Sequence, residues 1–218
     1  MVVESRVAND ETSPPESEAE TAIARMVLVF FQDQARRAIP GLLIDHETET
    51  FVLTTGPATI VPEEVGPAKD RTYLEFPGPV DVEAEFIDTK TADIFFHRAK
   101  SGLTTFQLEK TIDLAIGDGL SAIILSRRPT LRVTPNAARI SALDQATTFS
   151  LSTHKFRHEF TALVQIDQRL PEGTPLFKNG ELAGITLLGT RFMKEDVPGS
   201  YVVPASRIFE ALQQLKTE

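Results

Sequence analysis

At 218 residues, 41 % hydrophobic and 24 % charged, the chain has ordinary globular composition and length for one large all-β domain or two small subdomains sharing a core. A formal net charge of -9 without clustered Lys and Arg excludes nucleic acid as a main partner and argues against polybasic contact with anionic membranes. With no cysteine, a disulfide framework, a thiol nucleophile and a thiolate metal site are all excluded.

Residues 1 to about 20 are rich in Glu, Ser, Pro and Asp, too polar to offset ordering entropy, and are expected to form a disordered acidic leader. Ser17 is placed to cap a short helix over Glu18 to Arg25. The leader has neither a basic start nor an apolar core, and no apolar run reaches the ~18 residues of a membrane span, so neither signal peptide nor anchor is expected in the chain as given. From Met26 the pattern changes to short β-like runs, including "MVLVFF", "AIPGLLID", "TFVLTT", "TYLEF", "VDVEAEFID", "ADIFFHRA", "LSAIILS", "RVTPNAARISAL" and "FTALVQID". Turn residues separate nearly all of them, and no helical pattern lies between them, which argues for a sandwich or a pair of barrels over a βαβ fold. Asn179-Gly180 between "PLF" and "ELAGITLLG" predicts a tight hairpin, because both residues accept positive φ. One helix is expected near the C-terminus, over about 204–216, from the stripe Ile208, Ala211, Leu212 and Leu215.

Several of these runs, in order, resemble the HtrA (Deg) family of trypsin-like serine proteases. They are "GLLIDHETETFVLTT" (41–55), "VDVEAEFIDTKTADIFFHRA" (80–99), "IDLAIGDGLSAII" (112–124), "VTPNAARISAL" (133–143), "FTALVQID" (160–167), "NGELAGI" (179–185) and "GSYVVPASRIFEALQQL" (199–215). The resemblance implies an all-β chymotrypsin/trypsin-like double β-barrel with a C-terminal α-helix. Its N-terminal barrel would span about 25–110 and its C-terminal barrel about 111–204. It also implies that the chain continues into a peptide-binding domain, that aromatics such as Phe30 and Phe31 build a trimer, and an extracytoplasmic location if an export signal was removed.

Such proteases need a hydroxyl nucleophile, an imidazole to take its proton, and a carboxylate to fix the imidazole tautomer. By the resemblance, the imidazole position falls on Pro57, the aspartate position on Asp93, and the nucleophile position on Glu172 in "LPEGTPL". Base and nucleophile are both missing. The glycine two places before the nucleophile is Leu170, and Pro171 offers no N–H, so the oxyanion hole is doubtful as well. Asp93, with no imidazole to orient, is read as structural, and Glu172, with no partner acid in view, as a turn residue. The resemblance further implies that the strand Thr186, Leu187, Leu188, Gly189, Thr190 lines a cleft and pairs with an extended peptide through backbone hydrogen bonds.

The expected function is therefore that of a catalytically inactive pseudoprotease domain that binds protein or extended peptide, with no cofactor, no metal and no membrane span. Two alternatives stand beside it. One is a hydrolase with relocated residues, His46 or His97 paired with Ser101 or Ser200. The other is a structural subunit of a homo-oligomer. His154 and His158 raise a zinc reading through their spacing, but the stretch reads as a loop between strands and no third ligand follows by spacing.

Overall fold

The computed structural model of this chain describes residues 25–31, 38–46, 48–55, 72–75, 81–87, 94–99, 105–108, 112–126, 132–151, 156–188 and 198–215. The helix expected at 18–25 and the leader lie outside them, apart from Arg25, which is in a turn. The described residues form two β-sheets and a C-terminal helix.

The first sheet contains β1 (Met26–Phe31), β2 (Ala38–His46), β3 (Glu49–Thr55), β4 (Thr72–Glu75), β5 (Asp81–Ile87), β6 (Ile94–Ala99) and the two-residue β7 (Phe106–Gln107). Its order is β1-β4-β5-β6-β3-β2-β7. β1 also pairs with β2, Met26 opposite Leu42 and Phe30 opposite Ala38, so the antiparallel pairings of β1 to β6 run in a circuit. β7 lies parallel to Ile44 and Asp45 of β2. Asp45 fixes this junction: its carboxylate accepts the Thr50 hydroxyl of β3 at 2.8 Å and the Thr105 hydroxyl before β7 at 2.6 Å.

The second sheet contains β8 (Gly119–Ser126), β9 (Arg132–Leu151), β10 (Phe156–Ile166), β11 (Pro175–Lys178), β12 (Glu181–Leu188) and β13 (Ser200–Pro204). It is a closed barrel in the order β10-β13-β12-β11-β8-β9. Numbered within each half, the strands follow the same circuit in both sheets, first to fourth, fifth, sixth, third, second and back to first. Asn179 and Gly180 take φ values of 54° and 83°, making the expected hairpin between β11 and β12.

Two strands run well beyond their sequence signals. "VTPNAARISAL" continues to Leu151, and the polar stretch read as a loop contributes Phe156 to Glu159 to β10, because those residues pair with Leu151 to Thr148. His158 is therefore a strand residue opposite Phe149, and His154 lies outside the described residues. Pro135 sits inside β9 without breaking it. Over this stretch β9 pairs only with β8 among the described strands, so the other edge tolerates a residue with no N–H.

Helix α1 (Ala205–Gln214) follows β13 directly and buries Ala205, Ile208, Ala211 and Leu212 on one side. Those last three join an apolar cluster that spans both sheets: Leu42, Ile44, Leu53 and Phe96 of the first meet Phe160, Leu163, Ile185 and Leu187 of the second. Each such side chain contributes about 1.5–3 kcal/mol relative to exposure. A second cluster, with Leu120, Ile140, Ile166, Leu176 and Val202, belongs to the closed barrel and the loop at Leu170. Neighbouring residues of β8, β11 and β13 alternate between the clusters, as Leu176 and Phe177 do, because successive side chains leave a strand on opposite faces. Of the paired phenylalanines, Phe96 is fully buried and edge-on to Phe51; the side chains of Phe30, Phe31 and Phe95 lie outside the described residues.

Candidate functional site

The segment Asp167–Thr174 joins β10 to β11 and carries Glu172. Its start is clamped: the Asp167 N–H donates to the Arg139 carbonyl at 3.0 Å, and its carboxylate accepts the Arg139 N–H at 2.7 Å. Three residues on, Leu170 is fully buried in the barrel's own cluster. Its N–H donates to the Ser200 hydroxyl at 2.9 Å, and that hydroxyl lies 3.3 Å from the Leu170 carbonyl. A leucine rather than a glycine thus pulls the segment into the core, and β13 supplies the polar group that makes burial of its backbone tolerable.

Pro171 to Thr174 form a turn in which Gly173 has φ of 72°, a conformation that suits glycine. A Cβ on Gly173 would stand 2.8 Å from the Pro40 carbonyl, so the turn is seated against β2 of the first sheet. Thr186 of β12 ties the turn down from the other side. Its carbonyl accepts the Gly173 N–H at 2.9 Å, its N–H donates to the Thr174 carbonyl at 3.0 Å, and its hydroxyl accepts the Thr174 N–H at 2.8 Å while donating to the Pro171 carbonyl. The Thr174 hydroxyl also donates to Pro171, at 2.8 Å.

These bonds determine what the segment can do chemically. An oxyanion hole in the implied register needs the N–H of Leu170 and of Glu172 to converge on one point, but the Leu170 donor is engaged by Ser200, in the interior. The donors of Gly173 and Thr174 are engaged by Thr186, and Pro171 has none. The hydroxyls of Thr174, Thr186 and Ser200 are all buried and bonded to backbone groups. Glu172 itself is half-buried on the turn.

The sequence-derived positions fare as follows. Pro57 and Asp93 lie outside the described residues, as do Ser101, Gly189 and Thr190. The described residues nearest the first two, Thr55 and Ile94, are register partners on β3 and β6, so the chain leaves toward Pro57 beside the point where it arrives from Asp93. Ser200 is near the loop but serves Leu170. His46 sits at the end of β2, its ring edge-on to Phe209 of α1 with centroids 6.2 Å apart. His97 pairs across β6 with Val52 and Phe86. Thr186 and Leu187 are fully buried, and both backbone groups of Thr186 are engaged by the loop. Leu188, the last described residue of β12, pairs with Tyr201. No group of three His, Asp or Glu suited to a metal occurs among the described residues.

Sequence reasoning missed the roles of Thr186 and Ser200. The one available signal was a hydroxyl interrupting an apolar strand in "GITLL" and "SYVV", which in a buried strand implies a specific hydrogen-bond partner.

Elsewhere the turn Ala115–Asp118 is held as firmly. Lys178 of β11 reaches Asp118 at 2.7 Å and the Asp113 carbonyl at 2.6 Å. The Lys178 hydrogen bond, followed by that from the Ala115 N–H, holds the Asp118 carboxyl below its ordinary pKa. Ile116 at the tip of this turn is 67 % exposed.

Compared with models of known protein families and with curated proteins, the chain matches none.

Proposed function

We propose that this chain is a non-catalytic domain of trypsin-like double-barrel architecture, similar to HtrA proteases, that acts by binding protein or an extended peptide. Support for the architecture comes from the repeated strand circuit of the two sheets, joined through one apolar cluster and closed by a C-terminal helix. The observation that carries the inactive reading is the anchoring of Leu170 and the turn after it. A nucleophile loop must hold its donors and its oxygen toward substrate, whereas here they face Ser200, Thr186 and Pro171.

Binding is the function such a scaffold retains. Strand addition depends mainly on backbone groups, so loss of a catalytic side chain does not remove it. Of the stretch Thr186–Thr190 proposed to receive the peptide, Thr186 has its backbone groups engaged internally, and Gly189 and Thr190 lie outside the described residues. The test is fluorescence polarisation against a library of extended peptides, alongside casein turnover. Saturable binding with no casein cleavage is expected. Casein cleavage that is abolished by Ser200→Ala or His97→Ala in a folded protein would instead establish relocated hydrolytic chemistry.

A further inference from the structure

The chain contains one Asp-Gly and one Asn-Gly dipeptide, Asp118-Gly119 and Asn179-Gly180, and the fold treats them in opposite ways. Before a glycine no Cβ shields the next backbone nitrogen, so that nitrogen can reach the carbonyl carbon of the Asp or Asn side chain. Asp118 is protected. Its carboxylate accepts hydrogen bonds from Lys178 Nζ and the Ala115 N–H, both at 2.7 Å, which keep it ionised and a poor electrophile, and Gly119 is paired with Arg139 in the barrel. The other described asparagine, Asn136, precedes alanine, and both residues are paired with β8. Asn179 has none of these restraints. It and Gly180 are exposed and form the whole loop beyond the last pair of β11 and β12, Lys178 opposite Glu181. The Asn179 side-chain amide makes no hydrogen bond to any described residue, and a Cβ on Gly180 would meet nothing within 4 Å. Rotation into an attacking geometry disturbs only the hairpin tip, the part of a hairpin that opens most readily.

We propose that Asn179 is a site of spontaneous deamidation and isomerisation, with water as the co-reactant. The Gly180 nitrogen attacks Cγ of Asn179 and gives up its proton, the N–Cγ bond closes a succinimide ring, and the side-chain nitrogen leaves with that proton as ammonia. Water then opens the ring. Addition at Cγ breaks the new bond and yields aspartate; addition at the backbone carbonyl carbon breaks the original peptide bond and yields isoaspartate, whose chain continues through the side chain. The isoaspartyl form lengthens a two-residue loop by one methylene, so Lys178 and Glu181 no longer face each other at hairpin spacing. Because Lys178 also holds Asp118 and the Asp113 carbonyl, the change reaches the Ala115–Asp118 turn. The free carboxylate of the product is the group that an isoaspartyl carboxyl methyltransferase accepts, which is the class of reaction that would begin its repair. The site is independent of the loop at Glu172 and holds whether or not that loop binds or cleaves anything.

The full chain, held for weeks in warm, mildly alkaline buffer, should show the amide-to-acid mass increase in the peptide that carries residue 179. Labelled S-adenosylmethionine and an isoaspartyl methyltransferase should place methyl label on the same peptide. Conversion at Asn179 should exceed that at Asn136 by at least about tenfold, since each tenfold needs only ~1.4 kcal/mol of extra barrier and opening a paired barrel strand supplies it. Asn179→Gly keeps a loop suited to positive φ and should take up no label in this hairpin. In the separated isoaspartyl fraction, hydrogen exchange at the Ala115 amide should be faster than in fresh protein. A wild type that keeps its amide at 179 while the same chain unfolded in urea converts overturns the proposal, as does equal conversion at Asn136. Conversion without methyl label refutes the isomerisation, and unchanged exchange at Ala115 refutes its link to Lys178.

Discussion

Thr186→Val isolates the hydroxyl that fastens the candidate loop to the barrel. Valine has nearly the same shape and suits a fully buried strand position, so the change removes one oxygen and little packing. The Pro171 carbonyl keeps the Thr174 hydroxyl at 2.8 Å and remains satisfied. The Thr174 N–H does not: it loses an acceptor at 2.8 Å and is left with the Pro171 carbonyl at 3.4 Å, beyond a normal N–H to O distance. Leaving a buried donor without a proper partner costs about 1–3 kcal/mol. Taking the middle of that range, and roughly 2–4 °C per kcal/mol for a domain of this size, the thermal midpoint should fall by about 4–8 °C. Urea titration should show a lower midpoint at unchanged slope, and hydrogen exchange should show faster opening at the Thr174 amide. Thr186→Ser keeps the oxygen, loses a methyl at about 1 kcal/mol, and should leave Thr174 protected. A valine variant as stable as the wild type, or a serine variant that loses Thr174 protection to the same degree, would refute this account of what holds the loop.

Other consequences follow from the same geometry. Ser200→Ala removes the acceptor of the buried Leu170 N–H and should cost about 1–3 kcal/mol in urea unfolding, with slow exchange at Leu170 lost. Ala162→Gly should stabilise by up to about 1 kcal/mol, because Ala162 occupies φ of 53° on β10, and a higher midpoint at unchanged slope would show it. The Asp118–Lys178 pair predicts a pH dependence whose sign is fixed by the depressed Asp118 pKa. Its stabilisation is present above the unfolded-state value and lost as pH falls through the lower folded-state value. The gap in urea midpoint between wild type and Lys178→Met should therefore be full at neutral pH and close as pH drops below about 4.

The β-rich fold with its terminal helix was legible because its determinants are local. Alternating strands, the Asn179-Gly180 turn and the Ile208–Leu212 stripe each declare themselves within a few residues. The reach of β9 and β10 was not. The run from Thr147 to Glu159 is mostly polar in sequence, and its described ends, 147–151 and 156–159, are strands fixed by pairing with each other. At the candidate site, the identities of Leu170, Pro171 and Glu172 already argued against an oxyanion hole. What fills the space instead, a buried leucine held by a serine thirty residues away, depends on a tertiary contact that no spacing encodes.

The central claim is that the hydroxyls around the candidate loop, those of Thr174, Thr186 and Ser200, are spent on backbone hydrogen bonds and none acts as an activated nucleophile. It is tested most directly by incubating the full chain with an excess of a fluorophosphonate and recording the intact mass. The account predicts an unmodified protein at every pH at which it remains folded. Stoichiometric addition of one phosphonyl group, lost on Ser200→Ala or another serine substitution that leaves the fold intact, would contradict it.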